Sequence, residues 1–183
     1  MTDPQILRRT GFQAAIVDLD GTMVDTVGDF EVALGGALAD LGCKPVDQAF
    51  IRLTVGKGSE HLIKRTLEQV GAPASLYDQA WERYQHHYLA INGQHSAVYA
   101  GVIEGLKVLR ERDLKPTCLT NKPTAFAMPL LAAKGLAEHF TVAFGGDAFP
   151  RKKPDPMPLL EACKALGTAP ERTLMIGDSS NDA

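Results

Sequence analysis

The stretch Ala14-Ala15-Ile16-Val17-Asp18-Leu19-Asp20-Gly21-Thr22 decides the fold. Its first four residues form a continuous apolar run, the mark of a strand buried on both faces. The run then breaks into two aspartates. Residues two apart on a strand point the same way, so Asp18 and Asp20 are read as facing one site while Leu19 turns back into the core. Gly21 lets the backbone leave at a tight angle. Carboxylates this close repel unless a cation separates them. That suits one nucleophilic or metal-bound carboxylate beside one proton carrier. A purely structural use stays open, because Asp and Thr also cap helices.

Working outward, the hydrophobic period becomes helical. Val27, Phe30, Leu34, Leu38 and Leu41 recur every three or four residues, and Gly42 stands where a helix stops. Leu62, Ile63, Leu67 and Val70 make a second stripe that ends at Gly71. Tyr77, Trp81, Tyr84, Tyr88 and Ile91 make a third, read as the packed seam of a small bundle rather than a ligand face. Past Gly93, helices alternate with short apolar strands. Helices at 102–112, 124–134 and 157–166 precede strands at 116–120, 141–144 and 173–176. This alternation predicts an α/β, Rossmann-like parallel sheet covered by helices on both faces. The expected strand order is 4-1-2-3, counting the strands in chain order. The all-helical block interrupts the pattern as an insertion, so the expected domains are a core of residues 1–26 and 97–183 and a small helical cap of residues 27–96.

Composition narrows the class. The 183 residues suit one domain carrying a smaller insert, at ~100–200 residues per domain. With 45% hydrophobic and 22% charged residues, a disordered, collagenous or coiled-coil chain is excluded. The 22 acids against 19 bases leave a net charge of −3. Nucleic acid and anionic membranes both want a basic face, so neither is an expected partner. Cys43, Cys118 and Cys163 show no CxxC spacing and read as reduced thiols in a cytoplasmic protein. No apolar run approaches the roughly 20 residues of a membrane span, and residues 1–13 are too polar for a signal peptide.

In parallel sheets ligands gather at the carboxyl ends of the strands, and each of these ends carries chemistry. The second closes with Leu119-Thr120-Asn121-Lys122-Pro123, which is either an anion cradle at a helix start or an ordinary N-cap before proline. Gly145-Gly146-Asp147 leads to Arg151-Lys152-Lys153-Pro154-Asp155-Pro156, where prolines stiffen the chain and can hold one lysine inward. The last closes with Ile176-Gly177-Asp178-Ser179-Ser180-Asn181-Asp182. Phosphoryl transfer needs an in-line nucleophile, a metal and cations around the phosphoryl oxygens. Magnesium prefers carboxylates, and Asp18 and Asp178 supply them.

On these four segments the sequence resembles the haloacid dehalogenase superfamily of phosphohydrolases. DLDGT (18–22) is similar to its first motif, Thr120 to its second, Lys153 to its third and GDSSND (177–182) to its fourth. TVGKGSEHLIKRTL (54–67) resembles the glycine-containing cap segment of bacterial phosphoglycolate phosphatases. The resemblance implies a Mg²⁺-dependent phosphatase of small phosphorylated metabolites, with 2-phosphoglycolate first among them. It implies Asp18 as nucleophile forming an aspartyl-phosphate and Asp20 as proton carrier. Thr120 and Asn121 would then bind phosphoryl oxygens, with Lys153 neutralising them and orienting Asp18. Mg²⁺ would sit on Asp18, the backbone carbonyl of Asp20, and Asp178, with Asp182 one step further out. Gly56, Lys57 and Gly58 are the cap's candidates for the far end of the substrate.

A phosphosugar mutase or sugar phosphatase of the same superfamily is the alternative. Asp20 argues against a dehalogenase, and the helical insert argues against a phospho-acceptor receiver module. The family continues past its fourth motif with a helix and a strand, whereas this sequence ends at Ala183. The expectation is therefore a core whose C-terminal edge is missing, its fourth strand an edge and residues 177–183 loosely held.

Overall fold

The computed structural model describes residues 11–183; the part of the expected core that precedes residue 11 lies outside the described residues. The apolar runs become β1 (Ala14–Val17), β4 (Lys115–Leu119), β5 (Val142–Phe144) and β6 (Thr173–Ile176) of one sheet. Its order, β5-β4-β1-β6, is the expected 4-1-2-3, and every pairing is parallel. Three helices follow the alternation: α5 (Val102–Glu111), α6 (Thr124–Ala133) and α7 (Met157–Leu166).

The period-two geometry of a strand explains why β1 is apolar throughout. Ala15 and Val17 pack with Leu106 and Leu109 of α5 and with Leu130 and Leu131 of α6. Ile16, on the opposite face, packs with Leu119 and with Ala162 and Cys163 of α7. In register, Val17 lies between Cys118 and Ile176. Three strands therefore end at one level and set their terminal loops side by side. β6 forms the edge next to β1 among the described residues, with Ile176 37% exposed.

The inserted block holds four helices, α1 (Val27–Asp40), α2 (Gln48–Thr54), α3 (Ser59–Gln69) and α4 (Tyr77–Ile91). The three expected stripes bury their apolar faces together, with Tyr84 and Tyr88 fully buried at the centre. α2 has no counterpart in the sequence pattern. Seven residues long, it buries only Ile51 and Thr54, too few for a stripe to be read. Its start is fixed by Asp47, whose carboxylate accepts the Phe50 N–H at 2.8 Å. Both chain crossings between block and sheet pair as a short antiparallel ribbon, β2 (Val24–Asp25) with β3 (Ala97–Val98), also unforeseen because two residues carry no period. The returning chain is tied down on both sides. Asp29, fully buried, accepts the N–H groups of Gly93 and His95 at 2.9 and 2.7 Å, and Lys134 donates to the carbonyls of Gly93 and Ser96 at 2.6 Å.

No helix among the described residues is long and apolar enough to cross a membrane. One core residue belongs to the helical block's cluster. Phe126 of α6 sits 4.7 Å from the Tyr88 ring and 6.1 Å from Tyr84. Replacing it, Phe126→Ala, is expected to cost about 3–5 kcal/mol through lost burial and a cavity. Urea unfolding should show this as a lowered midpoint at unchanged slope; a midpoint near wild type would mean the two parts do not share a core there.

Candidate active site

The common strand level brings Asp18 and Lys153 together. The Asp18 N–H is held by the Ile176 carbonyl at 2.9 Å. One carboxylate oxygen, Oδ1, accepts the Leu19 N–H at 2.7 Å and lies 3.1 Å from Lys153 Nζ. Lys153 also donates to the Leu119 carbonyl at 2.9 Å and to Asp182 Oδ1 at 2.6 Å, so its buried ammonium has a partner for each hydrogen. Burial pushes the Asp18 carboxyl up to about 6. Lys153 opposes the rise, while the charges of Asp182 and Asp20 add to it. The Asp18 carboxylate is thus oriented through one oxygen, and Oδ2 carries no contact of this kind.

Oxygens of Asp18, Asp178 and Asp182 lie within 4.8 Å of one another. Such hard, clustered oxygens are the donors that Mg²⁺ takes. Both Asp182 oxygens are occupied, Oδ1 by Lys153 and Oδ2 by the Ser179 N–H and hydroxyl. Asp18 and Asp178 therefore fit an ion better as direct donors, and Asp182 fits as the anchor of Lys153. Asp178 is steadied by the Thr22 hydroxyl at 2.7 Å. Gly21 makes this approach possible: its φ is +82°, and a Cβ there would collide with the Asp178 carboxylate. Contacts hold parts of the segment 177–183. Ser179 caps the turn at 180–182, and Asn181 and Asp182 are buried.

The Asp20 side chain turns away from this cluster, towards a residue the sequence reading left without a role. Lys122 Nζ lies 3.0 and 3.3 Å from the two Asp20 oxygens. The same ammonium stands over the rings of Phe30 and Tyr88, at 4.4 and 4.6 Å, so two inserted helices box in a core lysine. In the sequence only Lys122's place beside Thr120 hinted at this, since the rings come from distant segments. Thr120 is buried, and its hydroxyl oxygen accepts the Lys122 N–H at 3.2 Å. Asn121 also borders the site, but its amide is committed elsewhere. Nδ2 donates to the Gly56 and Lys153 carbonyls, both at 2.9 Å, and Oδ1 accepts the Lys153 N–H at 3.0 Å. The Asn121 amide is thus a strut between the inserted block and the Lys153 turn, and its backbone is what it turns to a ligand in the expected cradle.

Helical block and core close over a cleft of about 250 Å³, lined among others by Asp18, Asp20, Asp178, Arg52, Gly56 and Tyr99. That is below the roughly 300–1,000 Å³ of pockets for drug-sized ligands and suits a small metabolite. Deeper, a space of about 10 Å³ is bounded by Thr120, Asn121, Lys122 and Gly58. Of the three expected cap contacts, Gly56 and Gly58 reach these spaces, whereas Lys57 is exposed and borders neither. Between two positive-φ glycines its side chain is carried outward. Lys152 and Glu60 add a 2.6 Å ion pair across the closure.

Comparison with known proteins bears on this arrangement. Residues 15–183 match the family model described as haloacid dehalogenase-like hydrolase. A phosphoglycolate phosphatase of Thiobacillus denitrificans is 40% identical over 173 residues, 93% of this chain and 76% of that protein. One from Nitrosospira multiformis is 41% identical over 174 residues, 93% and 77% of the two chains. Among solved structures, a predicted phosphoglycolate phosphatase from Haemophilus somnus superposes with a TM-score of 0.88 at 28% identity, over 94% of this chain and 80% of that one.

Lys153→Met would leave Asp18 and Asp182 buried without their shared cation, and removing one partner of a buried pair costs about 3–5 kcal/mol. Chemical denaturation at neutral pH should record that loss. Stability equal to wild type would show that the lysine does not hold the two carboxylates together.

Proposed function

The chain belongs to the haloacid dehalogenase-like hydrolases as a phosphoric monoester hydrolase, and on that premise we propose that it is a Mg²⁺-dependent phosphatase whose substrate is 2-phosphoglycolate. The observation that supports this best is the division between its two aspartates. Asp18 is oriented by Lys153 through one oxygen, and Asp20 is held by a different lysine, Lys122. Two neighbouring carboxylates in different surroundings suit two different roles.

In this reading residues 97–183 and the first segment through residue 26 form the catalytic core, and residues 27–96 form the cap. Asp18 Oδ2 attacks phosphorus and forms the aspartyl-phosphate, while Asp20 gives its proton to the departing glycolate oxygen. Asp20, now a carboxylate, takes a proton from water, whose oxygen attacks the same phosphorus and releases phosphate and Asp18. Thr120 donates its hydroxyl hydrogen to a phosphoryl oxygen, and Lys153 keeps the attacking carboxylate aimed. Asp18, the Asp20 carbonyl and Asp178 would hold Mg²⁺, which would supply positive charge to offset the phosphoryl oxygens. The closed cleft excludes bulk water from the reacting atoms.

Phosphate release from 2-phosphoglycolate, hexose phosphates and nucleotides, with Mg²⁺ and with chelator, tests the reading. Preferred hydrolysis of 2-phosphoglycolate, lost on chelation, is the expected result. Rearrangement of a hexose phosphate without phosphate release would replace it with a mutase. Asp18→Asn should abolish turnover of every ester. Asp20→Asn should slow alkyl phosphates by roughly 10²–10⁴-fold, the usual worth of acid–base assistance. An aryl phosphate with a good leaving group should still phosphorylate that variant, and intact-mass measurement should find the adduct. Wild-type turnover of an alkyl ester by Asp20→Asn would remove Asp20 from the proton transfers.

A further inference from the structure

We propose that Arg52, on the cap helix α2, is the specificity-determining residue of this site, binding a second negative group on the substrate, a carboxylate, within the cleft that Arg52 and Asp18 both line. The inference rests on the phosphatase reading above and assigns a residue to its selectivity.

The cleft wall explains the need. Among the described residues it carries four carboxylates, those of Asp18, Asp20, Asp25 and Asp178, and Arg52 is the one cation of its lining. Lys153 is committed to Asp18, Asp182 and the Leu119 carbonyl. A substrate with a further anionic group would meet carboxylates and neutral side chains along this wall unless Arg52 received that group. The guanidinium is free to do so. Its one ion-pair contact among the described residues, Nη2 to Asp25 Oδ2, is long at 3.5 Å, and the side chain is 53% exposed. Asp25 is itself fixed, because its other oxygen accepts the Val27 N–H at 3.2 Å. It therefore tethers Arg52 from the ribbon side and leaves most of the planar fork open. A guanidinium fork matches a carboxylate with two parallel hydrogen bonds.

The other nearby cations do not compete. Lys122 is enclosed by Asp20 and two aromatic rings beside a space of about 10 Å³, too small for a carboxylate. Lys152 is paired with Glu60, and Lys57 is exposed outside the lining. Arg52 belongs to the inserted block, whose Val55 and Gly56, directly after α2, also line the cleft. A carboxylate-bearing ester would thus bridge the two parts of the molecule.

The test compares 2-phosphoglycolate with ethyl phosphate, the same ester without a carboxylate, on the full chain with Mg²⁺. In Arg52→Gln the ratio of their kcat/KM values should fall on the order of 10–100-fold, the range set by losing hydrogen bonds to a charged group. The loss should appear mainly as a raised KM for 2-phosphoglycolate. Arg52→Lys keeps the charge without the fork and should lower the ratio less, while Lys57→Gln should shift it less than either. A ratio kept at the wild-type value in Arg52→Gln, even with both activities reduced, overturns the assignment and leaves the substrate reading standing. A wild-type enzyme that does not prefer 2-phosphoglycolate to ethyl phosphate overturns the substrate reading, and this inference with it.

Discussion

Everything at this site depends on burying Lys153 between two carboxylates. An ammonium taken out of water loses several kcal/mol of hydration, roughly as much as each carboxylate beside it. The loss is tolerable only if partners are fixed at hydrogen-bond distance, which here means Asp18, Asp182 and the Leu119 carbonyl. These atoms come from the ends of β1 and β4 and the turn after β6. Their meeting requires the three strands to stop at one level, as the pairing of Val17 with Cys118 and Ile176 ensures. A one-residue slip of β1 would turn Asp18 to the opposite face of the sheet. Sheet register and catalytic geometry are therefore the same constraint. The trio keeps one negative charge more than it has positive, and Asp178 adds another, so the cluster as a whole is anionic.

The second lysine does for the inserted helices what Lys153 does for the sheet. Lys122 starts from the core, ends against Asp20, and lies over rings of α1 and α4. Phe126 fills the same cluster from below. The aromatic stripe along α4 is thus a packing seam, as its spacing suggests, and also a wall for a buried charge. A cation over a ring face is attracted by the ring's quadrupole, more strongly where water is excluded. Seating of the helical block and placement of the Asp20 carboxylate are coupled through this one side chain.

The sequence disclosed those parts of the molecule whose determinants are local. A buried strand announces itself by a short apolar run, and the grouping of Asp18, Thr120 and Asp178 could be read because each closely follows a strand, that of Lys153 because prolines stiffen the segment that carries it. The helical insertion showed through stripes at Phe30, Leu62 and Tyr84. Determinants scattered along the chain stayed hidden. Nothing near Lys122 reveals that residues 30 and 88 will enclose it. Asn121 looks the same in sequence whether its amide meets a phosphate or two backbone carbonyls. On the cap, glycines flanking Lys57, with φ values of +110° at Gly56 and +89° at Gly58, drew attention to a cation that is exposed and borders neither space. Arg52 belongs to a helix too short to show a period.

The Asn121 amide has a consequence for the seating of the inserted block. One of its hydrogens is given to the Gly56 carbonyl of the inserted block and the other to Lys153. Withdrawing Gly56 breaks the first bond and frees the amide to rotate away from the second. The turn that aims Lys153 would then lose part of its bracing, so the seating of Gly56 and the placement of Lys153 are one arrangement, held by the two hydrogens of a single amide.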